Sequence, residues 1–297
     1  GLGDVYKRQT EELSNLADVI LEAAYQISRA ELVQRHGVAQ FPDDVGRVCT
    51  CPFVILGLGK LGGRELNFSS DIDLIFVYEA EGETAGTRGP EGVKLGRISN
   101  QEFFRKLGEM LVKGVGDVTP EGHLYRVDLR LRPEGRTGSI ASSIRTCEIY
   151  YESWGQTWER QALIKARPVA GDLALGERFQ RMVAPFVYRR YLDLGALQEI
   201  RAMKERINLA VREDGRARRN VKLGYGGIRE IEFLVQGFQL LHGGKNPWVR
   251  EANTLRTLHR LVGHGLLADA DYEVLARAYI FLRKLEHRLQ ILHDRQT

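Results

Sequence analysis

No run of about eighteen apolar residues occurs in this chain, so a membrane-spanning helix is excluded. Cysteine is scarce. Cys49, Cys51 and Cys147 are three in 297 residues, an odd set that argues against a disulfide framework and suits a reducing cytoplasm. Cys49-Thr-Cys51 has no second Cys or His pair at zinc-ligand spacing, so it reads as structural. An excess of one charge is also lacking. Lys and Arg number 43 against 39 Asp and Glu, too slight a surplus to argue for nucleic acid. Repeats and low-complexity tracts are absent. Gly1 to Gln9 lack the charged head and apolar core of a secretory signal. They differ from the amphipathic stretch that follows, and read as a truncation scar outside the fold. What is present is 43% hydrophobic and 28% charged residues, enough apolar material for the core of one large domain or two ordinary ones.

Hydrophobic spacing predicts a helix over Thr10–Arg35, with Leu13, Leu16, Ala17, Ile20, Ala24 and Ile27 on one face. Phe53 to Leu58 and Ile72 to Tyr78 read as buried strands joined by a glycine-rich loop. Glu79 to Gly96 reads as an exposed loop. Ser99 to Lys113 reads as a helix capped by Ser99, His123 to Arg132 as a strand, and Ser142 to Ala166 as mainly helical. Beyond about residue 175 strand signals fade. Helices are expected over 195–212, 228–242, 251–262 and 269–293, separated by glycine-containing links. The expected organisation is an N-terminal helical segment (1–40), a catalytic α/β domain (41–175) and a helical bundle (176–297), cut short at its C-terminal end.

Chemistry concentrates in two places. Gly57-Leu-Gly-Lys-Leu-Gly-Gly-Arg-Glu-Leu-Asn-Phe-Ser-Ser-Asp-Ile-Asp73 leads into a strand. Strand side chains alternate, so Asp71 and Asp73 share a face, about 6–7 Å apart along the chain. Hard oxygen ligands so placed suit Mg²⁺. The glycines, Gly62-Gly63 above all, let backbone amides approach phosphate, and Ser69 and Ser70 add hydroxyls. The spacing fits neither the Walker loop nor the dinucleotide fingerprint. By itself Asp-x-Asp reads equally well as a polar strand entrance. The second place is Leu124-Tyr-Arg-Val-Asp-Leu-Arg-Leu-Arg-Pro133. Val127, Leu129 and Leu131 form one face, and Arg126, Asp128, Arg130 and Arg132 the other. Surface ion pairs contribute little stability, so three arginines in register around one acid favour a phosphate site completed by Asp128.

These two stretches closely resemble the glutamine synthetase adenylyltransferase/adenylyl-removing family, as does Val221-Lys-Leu-Gly-Tyr-Gly-Gly-Ile-Arg-Glu-Ile-Glu-Phe-Leu-Val-Gln236. The likeness covers most of residues 40–297. It implies an α+β fold: a polymerase-beta-like nucleotidyltransferase domain, a small mixed sheet with flanking helices, then an all-α helical bundle. It implies Mg²⁺ held by Asp71, Asp73 and Asp128, and nucleotide or phosphate held by Gly62, Gly63, Arg64, Ser69, Ser70, Arg130 and Arg132. Asn67-Phe-Ser-Ser-Asp-Ile-Asp73 looks more like the adenylyl-removing half, in which phosphate attacks the adenylylated tyrosine of glutamine synthetase and releases ADP. The partners implied are glutamine synthetase, a nitrogen-regulatory signalling protein acting through the full-length enzyme, ATP or ADP, and phosphate, in the cytoplasm. Gly62-Gly63 departs from the Gly-Ser common in the wider superfamily. The ATP-dependent adenylylating half, or transfer to another regulatory protein or RNA, are the alternatives.

Other residues are less telling. Gly226-Gly227 before a helix reads either as an anion-binding start or as a tight turn. Lys165 and Arg167 are expected near the site by resemblance. Tyr150, Tyr151, Trp154 and Trp158 read as packing rather than a base platform. Arg212, Arg216, Arg218, Arg219 and Lys222 read as a solvated basic run. None of the seven histidines has a partner at catalytic spacing.

Overall fold

Phe53-Val-Ile-Leu-Gly57 and Ile72-Asp-Leu-Ile-Phe-Val-Tyr78 are runs of β-branched and aromatic residues, and both are almost wholly buried. Strands covered on both faces need a layer of helices on each side, and the chain supplies them. A computed structural model describes residues 2–88, 94–190 and 220–293. Helix α1 (Leu2–His36) leads to strands β1 (Ala39–Pro42), β2 (Val48–Thr50) and β3 (Phe53–Gly57). A single helical turn, α2 (Gly59–Gly62), precedes β4 (Ile72–Tyr78), β5 (Glu83–Thr84), β6 (Thr87–Arg88) and β7 (Lys94–Leu95). Helix α3 (Asn100–Gly116) is followed by β8 (Val127–Asp128) and β9 (Ala141–Ser143). Then come α4 (Ile144–Ser153), α5 (Thr157–Ile164), β10 (Arg167–Gly171) and α6 (Leu173–Val187). The remaining described elements are helical: α7 (Ile228–His242), a 3₁₀ turn (Pro247–Val249), α8 (Thr254–Gly263) and α9 (Asp269–His293).

The central sheet has the order β10-β3-β4-β8, with β9 beside the far end of β4. Strand β3 runs antiparallel to β4 and β10, whereas β8 and β9 run parallel to β4. Alternation along β3 and β4 splits the core. Phe53, Ile55, Phe76 and Tyr78 face α1 and α3, where Tyr25, Phe53, Phe104 and Tyr78 form a stack with centroids 4.8–5.5 Å apart. Val54, Leu56, Ile75 and Val77 face Cys147, Tyr151, Phe179 and Val183 of α4 and α6. The fold is mixed α/β with small sheets, consistent with a nucleotidyltransferase-like domain.

Several expectations shift. The N-terminal helix begins at Leu2, and α1 is part of the core through Ala17, Leu21 and Tyr25 rather than a separate segment. The division expected near residue 175 falls inside α6, whose Gly176 packs against Pro168 and Val54. The loop expected over 79–96 contains β5 to β7, and Thr84 is fully buried. The helical stretch expected over 142–166 starts as β9 and breaks near Gly155, where a Cβ would strike the Phe186 ring. The strand expected over 123–132 shrinks to two residues, because Asp128 captures the backbone amide of Arg130 and turns the chain. The helix expected over 195–212 and residues Arg212, Arg216, Arg218 and Arg219 lie outside the described residues. No helix among the described residues is long and apolar enough to cross a membrane.

Candidate active site

The acids come together at the start of β4. Ile72 and Leu74 are buried in the core, which turns Asp71 and Asp73 to the opposite face. Strand β8 pairs in parallel with β4 so that Asp128 stands directly opposite Asp73. Asp71, Asp73 and Asp128 line one cavity of about 310 Å³ with Ser70, Arg130, Lys60, Lys165, Lys222, Glu232 and Glu286. Residues more than two hundred positions apart in the chain thus share one chamber.

Three close contacts fix the details. Gly59 has a φ of +52°, and a Cβ there would lie 2.5 Å from Asp73 Oδ2, so this position requires glycine on both counts. Arg126 Nε donates to Asp71 at 2.6 Å, and the same guanidinium donates to the Ser69 carbonyl. Arg130 Nε donates to Asp128 at 2.7 Å from a side chain that is 63% exposed. Asp73 has no ion pair among the described residues. Burial, and then the charge of Asp128, push its carboxyl up to about 6. Burial also opposes the charge on Asp128, but hydrogen bonds from Arg130 outweigh it and hold that carboxyl below the ordinary range.

A buried charged seam closes the cavity. Lys165 Nζ donates to Glu65 at 2.6 Å and to Thr254 Oγ1 at 3.2 Å. Lys60 Nζ donates to Glu286 at 2.7 Å, Asn67 donates to the other oxygen of Glu286, and Arg283 donates to the Glu65 carbonyl. Burial acts against the charge on Lys165, but Glu65 and Glu232 outweigh it and raise its pKa. These residues join the loop before β4 to helices α7, α8 and α9.

Of the expected phosphate ligands, Ser70 and Arg130 line the cavity, and the others serve elsewhere. A Cβ on Gly62 would lie 1.8 Å from the Lys165 carbonyl, and one on Gly63 would lie 3.0 Å from that of Ala252. These glycines therefore allow backbones to pack against each other. Arg64, at φ +55°, donates to Asn15 and lines a separate cleft of about 550 Å³ beside α1. Ser69 faces Arg126, and Arg132 is bound by the carbonyls of Leu129, Arg136 and Gly138 in the following turn. Arg167 forms a two-pronged pair with Asp18 on α1, away from the acids. The Gly226-Gly227 start of α7 is a tight turn: the amides of Ile228 and Arg229 are taken by the carbonyls of Val221 and Lys222. Lys60, Lys222, Glu232, Gln236, Glu286 and Gln290 were not singled out for the site by spacing. Lys222, the one member of the basic run among the described residues, lines the cavity with the acids.

The donor set suits a divalent cation in kind, with three carboxylates in one cavity and a carboxyl raised by burial first and by its neighbour's charge second. The acids are not gathered as a ligand set. Among the described residues no group of three or more histidines, cysteines or carboxylates is placed to hold a metal as it stands. Asp71 is turned to Arg126 and Asp128 to Arg130.

A small sheet presenting Asp-x-Asp on one strand and a third acid on its parallel neighbour, with cations opposite, is consistent with a nucleotidyltransferase-like domain. The glutamate-ammonia ligase adenylyltransferase profile matches residues 3–182. The chain is 47% identical over 288 residues to the bifunctional glutamine synthetase adenylyltransferase/adenylyl-removing enzyme of Pseudomonas syringae pv. tomato, covering 96% of this chain. It is 48% identical to that of Pseudomonas putida over the same length, and 45% identical over 301 residues to that of Stenotrophomonas maltophilia. It belongs to the glutamate-ammonia ligase adenylyltransferase family. The chain spans 28% of the length of the Pseudomonas relatives and 30% of the Stenotrophomonas one. Residues 201–297 match the GlnD PII-uridylyltransferase profile.

Proposed function

We propose that this chain forms the adenylyl-removing site of a bifunctional regulator of glutamine synthetase in the cytoplasm. It would transfer AMP from an adenylylated tyrosine of that enzyme to inorganic phosphate. The observation that carries the reading is the register of Asp73 against Asp128 across β4 and β8, with Asp71 on the same face. A phosphate oxygen bonds to the phosphorus of the AMP group, and the bond to the tyrosyl oxygen breaks. That oxygen takes up a proton, and ADP departs. Asp71, Asp73 and Asp128 would hold Mg²⁺, which supplies charge neutralisation at the attacking and leaving oxygens.

The chain's own residues do the rest. Arg130 is exposed enough to exchange Asp128 for a phosphate oxygen, and Lys222 adds positive charge from the opposite wall. Lys60 sits between Glu286 and Ser70, and holds the hydroxyl near the acids. A nitrogen-regulatory signalling protein would act through the longer enzyme. The Asn67-Phe-Ser-Ser-Asp-Ile-Asp73 motif supports the removing direction. The test is direct. Adenylylated glutamine synthetase, phosphate and Mg²⁺ are mixed with the chain, and ADP is measured. ADP that is lost with Asp73→Asn supports the reading. Absence of ADP, together with absence of nucleotide binding, refutes it.

A further inference from the structure

Beside the acid cavity lies a second, smaller recess of about 220 Å³. Trp158, Gln161 and Ala162 share one face of α5, at helical spacing. Opposite them stand Phe233 and Gln236 of α7, with Leu131 closing one side. Glu232 and Gln236 line both this recess and the acid cavity, so the two share a wall. The lining combines aromatic and aliphatic surface with amide groups and the charged side chains of Arg229 and Glu232.

One residue of its lining carries a donor that is closed to solvent and out of balance, and a turn of that amide about its terminal bond presents the donor to the recess. Gln161 is only 8% exposed, yet its Nε2 finds no acceptor among the described residues. A buried donor without a partner is costly, and folded proteins keep few of them. Trp158 sits one helical turn away and remains 38% exposed. A large ring left open beside an unsatisfied amide suits a flat heterocycle, which stacks by its face and accepts a hydrogen bond at its edge.

We propose that this recess holds the nucleobase of the nucleotide whose phosphate lies at Asp71, Asp73 and Asp128, stacked on Trp158 and bound at a ring nitrogen by Gln161. This rests on the nucleotidyl-transfer reading above and extends it to the base. An adenine fits the chemistry, because its ring nitrogens accept. A tyrosine side chain offers one polar atom, and in the reaction above that atom is at the acids. The aromatic group expected to serve only as packing thus divides. Tyr151 is core, Tyr150 donates to Glu159, and Trp158 faces the recess.

The experiment titrates the full chain with ADP and, separately, with pyrophosphate, both with Mg²⁺, by calorimetry. Gln161→Leu and Trp158→Ala are each expected to weaken ADP about tenfold and to leave pyrophosphate affinity unchanged. Asp73→Asn weakens both ligands. Gln161→Leu removes a buried donor that has no partner, so its melting temperature is expected to stay close to that of the parent chain. As a second readout, ADP quenches tryptophan emission in the parent chain, and Trp158→Phe loses that quench while keeping a stacking ring. Unchanged ADP affinity in both Gln161→Leu and Trp158→Ala overturns the base site while the acid site stands. ADP binding no tighter than pyrophosphate in the parent chain overturns it as well. A parent chain that binds neither ligand refutes the underlying reading itself.

Discussion

Asp73 is held in tension by its surroundings. It is packed between Gly59 and the register partner Asp128, and its pKa is raised to about 6 by burial first and by that neighbouring charge second. Such a carboxylate favours binding at the expense of stability. Asp73→Asn is therefore expected to raise the melting temperature of the metal-free chain. The same change should remove the shift that added MgCl₂ gives the parent, as scanning fluorimetry with and without the ion would show. Gly59→Ala has the opposite character. It forces a Cβ against Asp73 Oδ2 at a φ of +52°, which costs about 1–2 kcal/mol of stability and displaces the acid. ADP formation should fall at least tenfold in an assay run well below the melting point.

Among the elements, the strands of the central sheet were readable because burial on both faces leaves continuous apolar runs. Phe53–Gly57 and Ile72–Tyr78 carry that signal, and they fix where Asp71 and Asp73 emerge. The facing of Asp128 was readable from alternation instead, since Val127 beside it packs on the core. The rest of the alternation over 129–132 was misleading. A local side-chain bond from Asp128 to the Arg130 amide outcompetes the ladder, and periodicity does not register such a bond. Gly62 and Gly63 pack against other backbones, and a glycine that admits another backbone looks, in sequence, like one that admits a phosphate. The contributions of Glu232 and Glu286 were hidden by distance along the chain, which no local pattern spans. The pairing of Lys165 with Glu65 is the joint on which the helical elements rest, at 2.6 Å and nearly unexposed. Lys165→Met is expected to destabilise the chain by about 3–5 kcal/mol in urea titrations, because it leaves a carboxylate buried without its cation. The double change Lys165→Met with Glu65→Leu should cost clearly less than the single one.

At the scale of the whole molecule, the contact between sheet and helices around the site includes a buried ionic seam, so it responds to pH. Burial, and then the charge of Arg283, pull Lys60 from an ordinary 10.5 down to about 8, although Glu286 opposes this. Between those values the unfolded chain keeps the proton while the folded chain releases it. Stability owed to this group therefore rises as pH climbs from 8 towards 10.5. Replacing Lys60 with Met should flatten that rise by on the order of 1–3 kcal/mol, read as the difference between urea midpoints at the two pH values.

The separation of 226 positions between Lys60 and Glu286 also sets a timetable. A ribosome adding roughly 5–20 residues per second finishes the acids' strand first, and delivers the α9 side chains that wall them in only some ten to forty-five seconds later. During that interval the nascent chain carries an open, half-built chamber with Lys60 and Asn67 still lacking Glu286. Newly made protein should therefore gain affinity for nucleotide abruptly once α9 has been made rather than gradually as the earlier elements appear.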